Sequence, residues 1–182
     1  EVRQELGLEN KFVVGHVGRL HPQKNHDFLI DVFVEIKKKK SDAELILIGT
    51  GPLEEKVRSK VADKGLTESV QFLGNRKDMN RIYQAMDVFV FPSLFEGLGI
   101  VAIEAQAAGV PIVCSEGLPP ETDITPIYRK LMLSDGTEKW AEVALDMAKN
   151  PIVHTDMQKY VINAGYECNR KEYGRILFKS TE

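Results

Sequence analysis

The sequence has few cysteines and no long apolar run, and both shortages exclude whole classes of protein. Its two cysteines, Cys114 and Cys168, lack the spacing of a zinc site or a redox pair, so we expect free thiols in a reducing compartment. No apolar stretch approaches the roughly 20 residues of a membrane span, and no secretory signal is visible. The net charge of −3 gives no basic surface for nucleic acid or an anionic membrane, so we exclude both as partners of this chain.

Self-contained hydrolytic and nucleotide-cleaving motifs are also missing. The four histidines share no metal-ligand spacing, and neither a nucleophile elbow nor a phosphate-binding P-loop is present. The turn "LIGTGPLEEK" at residues 47–56 is rich in glycine, but it lacks the third glycine and the spacing of a dinucleotide fingerprint. It therefore gives little support to a nicotinamide-dependent enzyme.

The chain has alternating strand and helix patterns. With 182 residues and 43% hydrophobic content, it can form one domain, residues 1–182, with a proper core. The strand candidates are residues 11–18, 43–49, 69–74, 87–92 and 111–115. The helix candidates are residues 26–39, 53–64, 78–86, 98–108, 137–149 and 156–178. Strands rich in Val and Ile, each followed by an amphipathic helix, predict an α/β fold with a doubly wound, Rossmann-like parallel sheet.

Ligands bind such sheets outside the carboxyl ends of the strands, so the loops after residues 18, 49, 74 and 92 should converge on one crevice. Trp140 has helical spacing with Val143, Ala144 and Met147, which predicts a core residue or an anchor for helix packing.

The stretch "SLFEGLGIVAIEAQAAGVP" at residues 93–111 places two carboxylates, Glu96 and Glu104, in otherwise small or apolar surroundings. Gly97 and Gly99 predict a tight turn, followed by a helix on which Glu104 falls in the middle of an apolar arc. A buried carboxylate needs a hydrogen-bond partner, either a protein group such as a neighbouring Lys or Arg, or a ligand hydroxyl, and both alternatives stay open.

Two cations follow the first strand in "GRLHPQKNHDF". Arg19 leaves the strand end, Lys24 lies in the loop, and Asn25 is well placed to cap the next helix. Cations beside a helix N-terminus favour a phosphate or diphosphate, although they could equally pair with surface acids. Asn75 and Arg76 follow the third strand, where they could read a base edge or form a polar turn.

These features together favour one ligand. Glu96 and Glu104 are eight residues apart, at most about 12 Å along a helix. One carboxylate could then bind a ribose and the other a sugar, with a diphosphate held between them by amides and cations. That arrangement suits a nucleotide diphosphate sugar.

The segments "VGRLHPQKN", "LIGTGPLEEKV", "VQFLGNRKDM" and "MDVFVFPSLFEGLGIVAIEAQAAGVPIV" resemble the donor-binding half of the retaining GT-B glycosyltransferases of family 4, also called group 1. The resemblance covers residues 1–115, and its E-x7-E element is specific. It implies one half of a GT-B fold, the C-terminal one, with the acceptor domain absent from this chain.

The resemblance also implies roles for individual residues. Arg19 and Lys24 would bind the diphosphate and stabilise the leaving nucleotide, with Glu96 on the donor-sugar hydroxyls and Glu104 on the ribose. The amides of Gly97, Leu98 and Gly99 would bind the sugar and phosphate. Three further residues are assigned to donor binding: Gly18, Asn75 and Arg76.

Substrates and partners follow from the same resemblance. We expect a UDP- or GDP-linked donor, a glycan or lipid-linked acceptor, no cofactor and no divalent metal. The segment "SEGLPPETDITPIYRKLML" is similar to the branch that builds capsular and exopolysaccharides. We expect the isolated chain to bind donor without transferring it, in the cytoplasm, with peripheral association of the full-length protein at the inner face of the membrane left open. A non-catalytic nucleotide-sugar-binding module and another GT-B-like enzyme, such as a sugar-nucleotide epimerase, remain alternatives.

Overall fold

A parallel β-sheet forms the centre of the molecule. The computed structural model describes residues 1–149, 154–168 and 176–178, and its main strands are β1 (Phe12–Val17), β2 (Ala43–Ile48), β3 (Val70–Gly74), β4 (Val88–Phe91), β5 (Ile112–Ser115) and β6 (Tyr128–Leu131). They pair in the order β3-β2-β1-β4-β5-β6, and every pairing is parallel. This confirms the predicted doubly wound sheet.

Helices connect the strands and cover both faces. They are α1 (Val2–Glu5), α2 (His26–Lys39), α3 (Glu54–Asp63), α4 (Met79–Tyr83), α5 (Ile100–Ala107), α6 (Thr137–Met147) and α7 (His154–Asn163). Short 3₁₀ turns lie at Pro22–Lys24, Thr67–Ser69, Pro120–Thr122 and Leu133–Asp135. Most of the predicted helices are confirmed to within a few residues, although α4 is shorter than the predicted 78–86.

Two hydrophobic cores lie on opposite faces of the sheet. Residues of α2, α3 and α6 pack on the face to which Val14 points, whereas residues of α1, α4 and α5 pack on the face of Val13. Successive side chains of a strand point to opposite faces, so β1 contributes to both cores. Both faces of the central strands are therefore buried, which accounts for their continuous apolar sequence.

Two parts of the sequence prediction were wrong or incomplete. Strand β6 was missed, because it is an edge strand in which Arg129 and Lys130 are exposed and interrupt the apolar pattern. The helix predicted over 156–178 ends at Asn163. Gly165 then takes a φ of +92°, and β7 (Tyr166–Cys168) pairs antiparallel with β8 (Ile176–Phe178). Cys168 lies in β7, and its side chain is outside the described residues.

Trp140 anchors α6 against α2. It is fully buried, its ring meets Phe28 edge-on with centroids 5.3 Å apart, and its indole N–H donates to the Met132 carbonyl at 2.9 Å. This confirms the prediction that Trp140 is a core and packing residue.

Candidate functional site

The strand order reverses between β1 and β4, where a doubly wound sheet forms its ligand crevice. The pairing of these two strands ends at Gly15 and Phe89. Beyond that point, residues 18–25 follow β1 and residues 92–99 follow β4. These two loops carry most of the residues that the sequence nominates.

Gln23 ties the two loops together. Its carbonyl accepts a hydrogen bond from the Leu94 amide at 2.8 Å, and its side-chain amide donates to the Phe95 carbonyl at 2.9 Å. The next residue, Lys24, ends the 3₁₀ turn that begins at Pro22. The lysine is thereby held over the segment that follows β4.

Lys24 and Glu96 form an ion pair inside the crevice. The lysine Nζ lies 2.5 Å from Glu96 Oε1, and the two side chains are only 15% and 7% exposed. The ammonium also lies 4.9 Å from the centre of the Phe91 ring, within the range of a cation–π interaction. The structure thus brings together a cation predicted to bind phosphate and a carboxylate predicted to bind sugar hydroxyls.

Arg19 differs from Lys24 in its surroundings. It is exposed, and it forms no ion pair or side-chain hydrogen bond with any residue of the described part of the chain. Because Glu96 balances the charge of Lys24, Arg19 supplies the uncompensated positive charge of this loop. Arg19 is therefore available to form an ion pair with an anion bound in the crevice.

The glycines after β1 and β2 let two backbones approach closely. A Cβ added to Gly18 would lie 3.1 Å from the Lys24 side chain. Gly49 has a φ of +130°, and a Cβ there would lie 2.2 Å from the Gly18 carbonyl oxygen. The glycine-rich turn after β2 therefore serves this close contact, a role the sequence analysis did not identify.

The glycine turn before α5 is formed as predicted. Gly99 caps the helix with a φ of +69°, and a side chain at Gly97 would meet open space. The Glu96 amide donates to the Gly117 carbonyl at 2.9 Å, whereas the amides of Gly97, Leu98 and Gly99 donate no backbone hydrogen bond to a described residue. These three amides can face an anion at the start of the helix.

The sequence places Glu104 in the middle of the apolar face of its helix. In the structure it does not lie there. The fully buried residues of α5 are Ala102, Ile103, Ala105 and Gln106, because the helix packs against both the sheet and α7. Glu104 is half-buried at the side of this face and accepts a 2.9 Å hydrogen bond from the Tyr83 hydroxyl.

Asn75 and Arg76 both have partners within the chain. The Asn75 side-chain amide donates to the Thr50 hydroxyl at 3.3 Å, and the Arg76 guanidinium binds both carboxylate oxygens of Asp78 as well as Glu5. The pKa of the Glu5 carboxyl is lowered by its hydrogen bonds from Arg81, the larger cause, and from Arg76. A base at this loop would compete with them for Arg76.

The loop between β5 and β6 is fixed to α5 by a buried polar network. The Gln106 side-chain amide donates to the carbonyls of Ala102 and Thr122, and its oxygen accepts from the Thr125 hydroxyl. Thr122 also approaches Gly99, at 3.5 Å from the position of an added Cβ. This loop therefore supports the turn at the start of α5.

Sequence reasoning missed two buried histidines beside this site. His16, in β1, is fully buried, and His26 begins α2 at 3% exposure. Burial lowers the pKa of His16 well below its usual value, and burial and then Lys24 lower the pKa of His26 to about 4. Both rings are neutral at pH 7. A single histidine in an apolar strand gives no periodic signal, so the sequence offered little to identify them.

A cavity of about 640 Å³ lies at the opposite end of the sheet. It is bordered by Pro111 before β5, Ile127 before β6 and Lys39 at the end of α2. None of the sequence-predicted site residues lines it.

The described residues contain no group of three or more His, Cys, Asp or Glu side chains arranged to hold a metal ion. They also contain no helix with the length and apolarity needed to cross a membrane.

Comparisons with known proteins identify the family and the fold. Residues 1–167 match the family described as Glycosyl transferases group 1. EpsF of Bacillus subtilis, named as a glycosyltransferase, is 35% identical over 134 residues, which cover 73% of this chain and 35% of EpsF. A GDP-mannose-dependent phosphatidylinositol monomannoside mannosyltransferase of Corynebacterium glutamicum is 32% identical over 161 residues, covering 82% of this chain and 42% of the enzyme. The chain thus spans less than half of the length of each of these relatives.

Among solved structures, HepE of Anabaena, crystallised with UDP, superposes with a TM-score of 0.75 at 24% identity. The match covers 90% of this chain and 46% of HepE. It confirms the predicted half of a GT-B fold. By the family match over residues 1–167, this chain belongs to the group 1 glycosyltransferases.

Proposed function

We propose that this chain is the donor-binding, C-terminal half of a retaining glycosyltransferase. The enzyme transfers a sugar from a nucleotide diphosphate sugar to a glycan or lipid-linked acceptor in the synthesis of bacterial surface polysaccharide. The observation that carries the proposal is the Lys24–Glu96 pair at the crevice, beside the exposed Arg19 and the amides of residues 97–99. Acceptor binding belongs to the part of the enzyme outside this chain.

The diphosphate is bound by Arg19, Lys24 and the start of α5. Arg19 contributes net positive charge and a guanidinium fork that suits two phosphate oxygens. Lys24 is already balanced by Glu96, so it contributes a fixed hydrogen-bond donor rather than net charge. The amides of residues 97–99 add the partial positive charge of a helix N-terminus.

The donor sugar is bound by Glu96. Lys24 holds Oε1 of the carboxylate, which leaves Oε2 to accept from a sugar hydroxyl. Because the Glu96 side chain is only 7% exposed, such a hydrogen bond forms in a low-dielectric environment. Water competes poorly there, so the pair can select among sugars by the position of their hydroxyls.

The nucleoside is bound at the other end of the site. Glu104 accepts the ribose hydroxyls, and the Tyr83 hydroxyl orients its carboxylate. Asn75 lies after β3, where it can reach the base. We take UDP or GDP as the nucleotide, because HepE was crystallised with UDP and with UDP-glucose and the Corynebacterium relative is named for GDP-mannose.

Catalysis by this half is electrostatic. The bond between the anomeric carbon and the diphosphate oxygen breaks, and negative charge grows on the leaving nucleotide. Arg19, Lys24 and the helix amides stabilise that charge at fixed positions. No divalent metal is required in this scheme, and the protein works in the cytoplasm.

Calorimetric titration of the 182-residue chain with UDP, UDP-glucose, GDP-mannose and ADP-glucose tests donor binding. We expect one nucleotide class to bind. Arg19→Ala should weaken binding by about 10- to 100-fold, the usual loss for a charge-assisted hydrogen bond. Lys38→Ala is the matched control, because Lys38 is an exposed cation near the far end of α2.

Transfer is tested with the longer protein that contains this chain. We expect sugar transfer that persists in EDTA and is lost in Glu96→Gln. If no nucleotide sugar binds the chain, or if Arg19→Ala and Glu104→Gln bind as well as the parent, the donor site is wrongly assigned. If donor binds but no acceptor is glycosylated, the chain is a binding module.

A further inference from the structure

Three buried polar atoms without a hydrogen-bond partner in the described chain belong to residues that frame the crevice. They are Nε2 of His16, Nδ1 of His26 and the hydroxyl of Ser93. His16 lies near the end of β1, His26 begins α2, and Ser93 follows β4. Unpartnered buried polar atoms are rare in folded proteins and call for an explanation beyond packing.

His16 connects β1 to β4 where their backbone pairing has ended. Its Nδ1 lies 2.9 Å from the Val90 carbonyl oxygen. A carbonyl oxygen can only accept, so the proton is on Nδ1, and Nε2 is the unprotonated nitrogen. The last backbone pair of the two strands is Gly15 with Phe89. The imidazole thus continues the connection one residue further toward the crevice.

His16 also packs against the first residue of α2. The rings of His16 and His26 meet nearly edge-on, with centroids 4.7 Å apart and planes at 75°. His26 comes two residues after Lys24, and the intervening Asn25 has a φ of +54°, which fixes a sharp change of direction. The position of the His26 ring is therefore coupled to the position of Lys24.

We propose that His16 is a positioning residue for the donor site, whose bond to the Val90 carbonyl and contact with His26 fix where Lys24 meets Glu96. The geometric chain runs from β4 through His16 and His26 to Lys24, and from β4 through Phe91 along the backbone to Glu96. The positions of Lys24 and Glu96 are therefore both fixed relative to β4. The role of that pair in donor binding rests on the proposed function.

The charge environment supports a neutral imidazole pair. A proton on either ring would place a second positive charge beside Lys24, and burial opposes it as well. Two neutral rings can fill this space without repelling the ammonium. Lysine or arginine at position 16 would not satisfy this condition.

Three substitutions of His16 separate the hydrogen bond from simple packing. His16→Asn places an amide donor where Nδ1 is and keeps the bond to Val90. His16→Gln places its amide where Nε2 is, and His16→Leu removes the donor. Val14→Ala is the matched control, because Val14 is a fully buried residue on the same face of β1, and its truncation destabilises the core while His16 keeps its donor.

Two readouts are needed. The ¹⁵N-resolved ammonium signal of Lys24, recorded without nucleotide, reports the ion pair with Glu96. Calorimetry reports UDP affinity. We expect the ammonium signal to persist in His16→Asn and Val14→Ala and to be lost in His16→Leu and His16→Gln, with UDP affinity about tenfold lower in the latter two.

An unchanged Lys24 signal in His16→Leu would overturn the proposal. Equal loss of the signal in His16→Asn and Val14→Ala, in proportion to their stability, would also overturn it, because His16 would then act only as a core residue. If the parent chain shows the Lys24 signal but binds no UDP or other nucleotide, the proposed function fails. The ammonium signals of the variants still decide the role of His16 in that case.

Discussion

The Tyr83 hydroxyl in α4 donates a 2.9 Å hydrogen bond to the Glu104 carboxylate in α5, and so links two helices on one face of the sheet. Burial, and then the neighbouring Glu104 carboxylate, raise the pKa of Tyr83 well above its usual value, so the hydroxyl stays a donor. A half-buried acid of the candidate site is thus oriented by a neutral phenol. The sequence predicts a protein partner or a ligand hydroxyl for Glu104, and the structure supplies a protein partner that is a phenol rather than a Lys or Arg.

Replacing Tyr83 by Phe should remove this orientation at little cost in volume. We expect the free energy of unfolding to fall by about 1–2 kcal/mol, because Glu104 loses a donor in a partly buried place. Urea denaturation measures the change. Tyr160→Phe, at a 44% exposed tyrosine of α7, is the control and should be neutral. Equal stability of both variants would contradict the assigned hydrogen bond.

The Lys24–Glu96 pair should show strong energetic coupling. Lys24→Met and Glu96→Gln each leave one enclosed charge without its counter-charge, and each should destabilise the chain by about 3–5 kcal/mol. The double variant should lose clearly less than the sum. A double-mutant cycle from urea denaturation gives the coupling energy.

The exposed pair Arg58–Glu54, with side chains 51% and 37% exposed, is the matched comparison. Its coupling should be about 0.3–0.5 kcal/mol, as for other helix-surface pairs. Similar coupling for the two pairs would show that Lys24 and Glu96 are solvated like surface residues.

Gly49→Ala should disturb the contact between the loops after β1 and β2. The added methyl group would lie 2.2 Å from the Gly18 carbonyl oxygen, so a backbone must move. We expect a loss of more than about 2 kcal/mol of stability. Gly65→Ala is the control, because Gly65 also has a positive φ, +68°, but faces open space. It should cost only about 1 kcal/mol, and equal losses would refute the steric argument.

Stability should fall as the pH is lowered from 6.5 to 4. The unfolded state takes up a proton on His26 near pH 6.5, whereas the folded state takes it up only at about 4. The neutral form is favoured by folding, so the contribution is fully present above 6.5 and is lost as the pH falls to about 4. The expected size is about 3 kcal/mol, with a smaller loss in His26→Gln. Urea titrations at several pH values measure it.

The sequence predicted the parts of the fold that have strong periodic patterns. The five apolar strands and the helices between them were found because central parallel strands carry continuous Val and Ile. Strand β6 was not found, since Arg129 and Lys130 are exposed at the sheet edge and interrupt that pattern. The helix predicted over 156–178 ran past Gly165, which follows the true end of α7 and has a positive φ.

The candidate site was predicted as a set of residues but not as a set of contacts. Arg19, Lys24, Glu96 and the glycine turn follow from local sequence. The pairing of Lys24 with Glu96 joins positions 72 residues apart, so it depends on the packing of two loops. The same holds for the Tyr83–Glu104 bond and for the two histidines, whose importance lies in what surrounds them.

Trp140, enclosed between α6 and α2, is the chain's one tryptophan. Its fluorescence therefore originates in the core on the α2 face and not in the crevice. Emission at long wavelength would signal solvent entry into that core, which accompanies unfolding. Nucleotide titrations should leave the emission spectrum nearly unchanged. The fluorescence of Trp140 therefore reports the folded fraction of the protein independently of donor binding.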